Sequence, residues 1–324
     1  MKDPLMDRRK FITGSAVSSA VLATMSCSSV APTGNNSEVS LMNHTTQGLL
    51  SLDERKRWLT SYSCNIEQWF RPMPFLERID AAKALGFSAV ELWDPYNAAL
   101  GKSPKAIAER AKDQGIKITS YSPKAIHIGD PENHKHLNQW LDHTIAAGHE
   151  LGVNNFNFTG HKLIPQMSVE AMVENYTSAL QSIASRLENE GMVATIEPYN
   201  PSSHKGHFIY GNEPALSICR EINSPSIKLN WDFFHMQRTN GNLITNLEQG
   251  FDQVAYIQFA DSPGRNQPGT GEVAYGNVFS RLRELGYTGY IGAEFFPMNK
   301  EPLRAAIDIA YLAKHINLRE PASL

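Results

Sequence analysis

Short apolar runs alternate with longer amphipathic segments between residues 57 and 320. The runs at residues 193–197 and Ile227–Asp232 have the length and apolar content of buried strands. Between such runs, apolar residues recur at helical spacing, as at Leu76, Ile79 and Ala82, which is typical of a helix with one buried face. This alternation predicts an α/β fold in which helices cover a parallel sheet.

The number of strand and helix units indicates that the sheet closes. Strands are predicted at residues 59–65, 88–93, 116–121, 153–158, 193–197, 227–232, 254–258 and 290–294. Helices are predicted at residues 74–85, 104–114, 133–151, 168–189, 213–222, 243–250, 277–285 and 301–316. Eight strand–helix pairs without an intervening linker or repeat predict one (β/α)8 TIM barrel domain at residues 57–320.

The region before the barrel has the pattern of a targeting segment. Arg8, Arg9 and Lys10 precede a mildly apolar stretch at residues 12–25, so residues 1–27 resemble a twin-arginine export signal, with a disordered basic tail as the simpler alternative. Residues 28–56 begin with a Ser-, Asn-, Thr- and Gly-rich stretch and predict a flexible tether. The protein is therefore expected to be exported, either periplasmic or anchored to the membrane as a lipoprotein through Cys27. Whether Cys27 is lipidated stays open.

Composition and charge exclude several classes of partner. The chain has 324 residues, 41% of them hydrophobic, which suffices for a barrel core, and its formal charge is −3. Because no basic cluster follows the first ten residues, neither nucleic acid nor an acidic membrane surface is an expected partner. The cysteines Cys27, Cys64 and Cys219 are too few and too scattered for a disulfide framework or a thiolate zinc site. Homo-oligomerisation stays open.

Polar residues end the last four predicted strands. They are Glu197, Asp232, Gln258 and Glu294. All strands of such a barrel end at one face, so these side chains are expected to converge there. Three carboxylates and an amide oxygen form a hard ligand set, which favours Mg²⁺ or Mn²⁺, while Zn²⁺ also accepts carboxylates. The sequence therefore predicts a divalent metal site.

Three further residues are candidates for substrate binding. His235 lies three residues beyond Asp232, in what is predicted to be a loop, and Arg265 lies in a loop rich in glycine and proline. An arginine there suits a carboxylate or vicinal hydroxyls. Glu91, near the end of the second strand, is the third candidate. The remaining histidines near the barrel mouth are expected to be solvated loop residues, namely His127, His161, His204 and His207.

Four motifs together resemble the hydroxypyruvate isomerase family, within the xylose-isomerase-like barrel superfamily of sugar isomerases and epimerases. They are Glu197-Pro-x-Asn, Asp232-x-x-His-Met-Gln, Gln258-x-Ala-Asp-x-Pro-Gly-Arg-x-x-Pro-Gly-Thr-Gly-Glu and Gly289-Tyr-Ile-Gly-x-Glu. The resemblance implies a divalent ion held by Glu197, Asp232, Gln258 and Glu294. It also implies isomerisation of hydroxypyruvate, or of a similar small sugar or sugar acid, through an enediolate. Glu197 and Glu294 would then be the acid and base, His235 would hold a substrate oxygen and Arg265 a carboxylate.

Alternative functions remain at this point. A ketose 3-epimerase-like enzyme would share the metal and both glutamates, although the epimerases of the superfamily carry His where Gln258 stands. A related metal-dependent nuclease is not supported by the charge or the ligand set. A non-catalytic sugar-binding lipoprotein would retain ligand affinity in a Glu294→Gln variant and have no turnover to lose. The loop with His204, Lys205 and His207 is more basic than the resemblance leads us to expect.

Overall fold

Eight parallel strands close into a barrel in the computed structural model, which describes residues 50–317. Each strand is hydrogen-bonded to the next along the chain, and the last pairs with the first. The strands are β1 (Tyr62–Asn65), β2 (Ala89–Trp93), β3 (Lys117–Ser122), β4 (Asn155–Phe158), β5 (Val193–Ile196), β6 (Ile227–Asp232), β7 (Val254–Phe259) and β8 (Ile291–Ala293). The predicted TIM barrel is confirmed, and every predicted strand overlaps an observed one.

The helices form the outer ring of the barrel or follow its strands directly. They are α1 (Leu52–Trp58), α2 (Ile66–Trp69), α3 (Glu77–Leu85), α4 (Pro104–Gln114), α5 (His134–Leu151), α6 (Val169–Glu190), α7 (Ala215–Ile222), α8 (Phe233–Thr239), α9 (Leu243–Gly250), α10 (Tyr275–Glu284) and α11 (Pro302–His315). All eight predicted helices are present. Within residues 50–317, none of the helices has the length and apolar character needed to cross a membrane.

Helix α1 corrects the predicted boundary between tether and barrel. Ser51 and Glu54 form a capping box, in which the Glu54 backbone N–H donates to Ser51 Oγ at 3.2 Å. Arg55 Nε donates to the Leu85 carbonyl at 2.9 Å, and Trp58 is buried. The tether prediction is therefore wrong for residues 51–56, because a capped helix is packed there. The predicted signal at residues 1–27 and the rest of the tether to residue 49 lie outside the described residues.

Helices α2 and α8 were not predicted. Each begins directly after a strand, and the last strand residue accepts hydrogen bonds from the first helical turn: Asn65 from Glu67 and Gln68, and Asp232 from Phe234. Both helices are too short to show a helical period, since they span four and seven residues. They place polar side chains at the barrel mouth.

Polar side chains also fill part of the barrel axis. Ser63 Oγ lies 2.6 Å from Thr119 Oγ1, which lies 2.8 Å from the Tyr256 hydroxyl. Tyr256 in turn donates to Glu91 at 2.7 Å. All four residues are buried, and their hydrogen bonds satisfy groups that would otherwise be costly to bury. This part of the barrel axis is thus a polar network that leads to Glu91.

Candidate active site

The four predicted ligand residues lie at the carboxyl ends of neighbouring strands. Asp232 on β6 is paired in register with Gln258 on β7, and Gln258 is paired with Gly292 on β8. Glu197 follows β5 and Glu294 follows β8. All four predicted residues are at most 4% exposed. The closed sheet therefore brings residues that are far apart in sequence to one end of the barrel.

The closest group at the mouth consists of Glu197, Asp232 and His235. Each offers one ligand-type atom, and these atoms lie within 4.8 Å of one another. His235 Nε2 is 3.3 Å from Glu197 Oε1 and 3.4 Å from Asp232 Oδ2. His235 lies on helix α8 and not in a loop as predicted, because Asp232 caps this helix by accepting from the Phe234 N–H at 2.7 Å.

Asn200 determines which nitrogen of His235 carries the proton. The Asn200 side-chain oxygen accepts from Ser202 Oγ and from the Ser203 N–H, so its amide nitrogen faces His235 Nδ1 at 2.7 Å. Nδ1 is then an acceptor, and the neutral imidazole carries its proton on Nε2. Burial lowers the pKa of His235 to about 4, although Asp232 opposes this shift. His235 is therefore a neutral donor aimed at the two acids.

Both carboxylate oxygens of Glu294 have donors. Oε1 accepts from Trp93 Nε1 at 3.1 Å and from Asn65 Nδ2 at 3.2 Å. Oε2 accepts from Arg265 Nη2 at 2.9 Å, and the same Nη2 lies 3.8 Å from Asp232 Oδ2. Arg265, predicted to bind a substrate carboxylate, pairs in this structure with the acids of the site. A substrate carboxylate would therefore share Arg265 with Glu294 and Asp232.

Asp261 organises the loop that carries Arg265. Its carboxylate accepts from five backbone N–H groups, those of Ser262, Gly269, Thr270, Gly271 and Val273. Arg265 itself has a φ of +54°, a left-handed conformation that a non-glycine residue adopts only when its surroundings hold it. Its backbone oxygen accepts from the Phe296 N–H at 3.0 Å. The loop is thus built around one buried carboxylate.

We expect Asp261→Asn to lower the free energy of unfolding by at least about 2 kcal/mol, because several buried N–H groups lose a charged acceptor and an amide NH₂ is turned toward some of them. The Michaelis constant should also rise, since Arg265 is no longer held. Chemical denaturation and steady-state kinetics measure both effects. Asp113→Asn, at an exposed position of α4, is the control. An Asp261→Asn variant as stable as this control would contradict the role of the carboxylate.

Glu91 and Gln258 form a pair inside the barrel. Glu91 accepts from Gln258 Nε2 at 2.8 Å and from Asn65 Nδ2 at 2.9 Å, while Gln258 Oε1 accepts from Asn230 Nδ2 at 2.5 Å. Glu91 occupies the space beside Gly292. A side chain at residue 292 would collide with it, because its Cβ would lie 2.3 Å from Glu91 Oε2. Both oxygens of Glu91, predicted to contact substrate, accept hydrogen bonds from Asn65, Tyr256 or Gln258. Its position makes it a residue that orients Gln258.

We expect the metal-free protein to lose stability as the pH rises from about 4.5 to about 7. Burial raises the pKa of Glu91 to about 7 from its ordinary value near 4.5, so in this range the folded state binds more protons than the unfolded state. The slope contributed by one such group approaches about −1.4 kcal/mol per pH unit. Denaturation curves across this range measure it. Glu91→Gln removes the group, so an unchanged slope in that variant would contradict the assignment to Glu91.

The charge of the site fits a divalent cation. Burial raises the pKa of Glu197, Asp232 and Glu294, and the positive charge of Arg265 opposes the shift in each of them. When all three acids are ionised, they carry three negative charges, and the guanidinium of Arg265 balances only one of them. Asp232 Oδ2 is also buried without a hydrogen-bond partner. An unsatisfied buried oxygen atom beside unbalanced negative charge is what a hard cation requires.

A cavity of about 430 Å³ opens above these residues. Its walls include Glu197, Glu294 and Arg265 together with the aromatic side chains of Trp93, Tyr199 and Phe296. A larger cavity, about 740 Å³, lies at the opposite end of the barrel. Its lining includes the first residues of β3 and β5, Lys117 and Val193, and the second residue of β7, Ala255. None of the predicted site residues lines it, and the smaller cavity is therefore the candidate active site.

Several residues of the site were missed or misjudged from the sequence. His161, expected to be solvated, is fully buried: its Nε2 donates to the Glu197 carbonyl at 2.9 Å, and burial lowers its pKa to about 3. His204 lines the cavity. Asn65, Trp93 and Asn157 were not predicted, although each lies at or near the carboxyl end of a strand. That position was the only signal in the sequence that points to them.

The fold and the site define a TIM barrel enzyme with acids gathered at the carboxyl ends of its strands. The chain belongs to the Xylose isomerase-like TIM barrel family, whose model matches residues 79–315. It is an isomerase or epimerase of this superfamily, as its relatives are.

Two relatives and one solved structure illustrate the similarity. Hydroxypyruvate isomerase from Escherichia coli (strain K12) is 26% identical over 242 residues, covering 73% of this chain and 93% of that protein. 2-Oxo-tetronate isomerase from Haemophilus influenzae is 24% identical over 251 residues, covering 74% and 94%. The crystal structure titled AP endonuclease, family 2, from Brucella melitensis superposes with a TM-score of 0.71 at 22% identity, covering 81% of this chain and all of that one. At this identity the superposition shows the fold alone.

Proposed function

We propose that the protein is a metal-dependent isomerase that moves a carbonyl group between adjacent carbons of a small hydroxy-keto acid or sugar, through an enediolate. The observation that carries the proposal is that Glu197 and Glu294 line one cavity, beside the buried and unpartnered oxygen of Asp232. The names of the relatives from Escherichia coli and Haemophilus influenzae point to short oxo acids as the substrate class.

The two glutamates are suited to proton transfer. Isomerisation removes a proton from one carbon and returns it to the neighbouring carbon, which requires carboxyl groups near the reacting atoms. Burial raises the pKa of both Glu197 and Glu294, so each holds a proton at a higher pH than an exposed carboxyl group does. Asn157 donates to Glu197, and Trp93 donates to Glu294, so that both carboxylates are oriented.

Other residues of the site would bind the metal and the substrate. Glu197 and Asp232 are proposed as ligands, with Glu294 and Gln258 completing the set, and Mg²⁺ or Mn²⁺ as the ion. When bound, a divalent cation supplies Lewis-acid polarisation of the substrate oxygens and stabilises the developing negative charge. His235, a neutral donor through Nε2, would hold a substrate oxygen, and Arg265 a substrate carboxylate. The export expected from residues 1–27 remains part of this proposal.

Solvent exchange tests the proposal. Purified protein is analysed for divalent metal and then incubated with hydroxypyruvate, 2-oxo-tetronate or ketoses in deuterated water, with products followed by NMR. We expect a stoichiometric ion, incorporation of deuterium and the carbonyl-shifted isomer. A product inverted at one carbon would instead identify a ketose epimerase. Exchange by ion-free protein would contradict the role of the metal, and absence of exchange with every substrate would contradict the isomerase.

A further inference from the structure

The mouth cavity is larger than a three-carbon substrate needs. Its volume is about 430 Å³. A three-carbon oxo acid fills at most roughly 200 Å³, even if each of its non-hydrogen atoms is given the ~30 Å³ share of a water molecule. About half of the cavity therefore lies beyond the reacting carbons.

His204 lies in the wall of this cavity, and its position is fixed. Its ring stacks on Tyr199 with centroids 4.0 Å apart and planes at 24°, and it meets the ring of His235 edge-on at 5.0 Å. Its backbone N–H donates to the Asn200 carbonyl at 3.1 Å, and its carbonyl accepts from the Tyr210 hydroxyl at 2.8 Å. A side chain held by both stacking and backbone hydrogen bonds presents its polar atoms in a defined direction.

The polar atoms of His204 suit a hydroxyl group. Its Nδ1 is buried without a hydrogen-bond partner among residues 50–317, so Nε2 is the ring nitrogen left to meet a ligand in the cavity. Burial lowers the pKa of His204 to about 4, with His235 contributing, so the ring is neutral at neutral pH. A nitrogen of a neutral imidazole is either a donor or an acceptor, and a hydroxyl group can pair with it in either case. A carboxylate, which only accepts, is better served by Arg265.

We propose that His204 is a specificity-determining residue that binds a hydroxyl group beyond the reacting carbons, so that the preferred substrate is a hydroxylated oxo acid or ketose of four or more carbons. The inference rests on the proposed function and narrows its substrate class. The rings of Trp93 and Phe296 support it, because they line the cavity and offer apolar carbon atoms against which the C–H groups of a longer carbon chain can pack.

A chain-length series tests the proposal. The specificity constant kcat/KM is measured for hydroxypyruvate, 2-oxo-tetronate, and ketoses of five and six carbons. We expect the best longer substrate to exceed hydroxypyruvate by at least about 10-fold. His204→Phe keeps a ring to stack on Tyr199 but removes both nitrogens, and it should reduce this ratio about 10-fold, the effect of one lost hydrogen bond of about 1.4 kcal/mol. Lys205→Ala, at the exposed neighbouring position, should keep the ratio.

Equal losses on short and long substrates in His204→Phe, or a preference of the wild type for hydroxypyruvate, would overturn the proposal. Binding separates its failure from that of the proposed function. Calorimetry with two non-reacting acids, three-carbon glycerate and four-carbon threonate, should show a loss in His204→Phe that is larger for threonate by about 5- to 10-fold. If this difference is found without turnover of any substrate, the isomerase proposal fails and the hydroxyl site stands. If substrates are turned over but neither turnover nor binding depends on chain length, the hydroxyl site fails and the isomerase proposal stands. Thermal midpoints establish that each variant is folded.

Discussion

Asp232→Ala is expected to yield a folded protein without its divalent ion and with turnover lowered by at least about 10²-fold. Asp232 is fully buried, and its Oδ2 has no hydrogen-bond partner, so this oxygen is available to the ion. An alanine at this position offers no oxygen in its place. Lewis-acid stabilisation by a metal is worth several kcal/mol, and each 1.4 kcal/mol corresponds to a factor of ten in rate. Metal content by atomic emission and turnover by NMR are the measurements.

Asp232 also caps helix α8, so a second variant separates its two roles. Asn is as good a helix cap as Asp. Asp232→Asn should therefore keep the hydrogen bond from the Phe234 N–H and still lose the ion. The metal-free Asp232→Asn protein should also be more stable than the metal-free wild type, because one of several buried like charges is removed. Asp113→Ala, at an exposed position of α4, should retain the ion. A stoichiometric ion in Asp232→Ala would show that the cation binds elsewhere.

Glu294→Gln is expected to lower kcat by about 10² to 10⁴-fold, which is the usual contribution of a carboxyl general base or acid. Glutamine keeps the shape and an oxygen that can accept from Trp93 and Asn65, but it cannot take up the proton. Because Glu294 is also a proposed metal ligand, the rates are compared at a metal concentration that saturates both proteins, so that the remaining loss in kcat and in deuterium exchange reports proton transfer. Rates are measured at saturating substrate.

The control for this prediction is Glu109→Gln, at an exposed position of α4, which should behave like the wild type. A Glu294→Gln variant with wild-type kcat would remove Glu294 from the chemistry and leave Glu197 as the remaining candidate. A wild type that binds sugars without turning any over would favour the non-catalytic binding protein.

Local signals in the sequence account for the accuracy of the element predictions. Helix α4 agrees with its predicted bounds because Ser103 accepts from the Ala106 N–H at its start and Gly115 adopts a φ of +59° at its end. These caps act over a few residues and can be identified from the sequence alone. Helices α2 and α8 lacked such a signal, because each cap residue also ends a strand and each helix is too short to show a helical period.

Long-range contacts explain the errors at the site. Glu91 and Gln258 are 167 residues apart in sequence, and Asn65 and Glu294 are 229 residues apart. No periodicity within the chain relates the members of such pairs. The sequence predicted that Glu91 lies near the mouth but not that hydrogen bonds from Asn65, Tyr256 and Gln258 hold its carboxylate. The burial of His161 follows in the same way from the packing of two loops.

The sequence by itself determined the barrel, the order of its elements and the strand ends that carry the acids, because hydrophobic period, caps and turn residues act locally. It also determined the hard character of the proposed ligand set, since that depends only on residue type. Only the tertiary structure decided which nitrogen of His235 is protonated, that Arg265 pairs with Glu294, and that His204 faces the cavity. These features depend on distances between segments, and closure of the sheet and packing of the loops determine those distances.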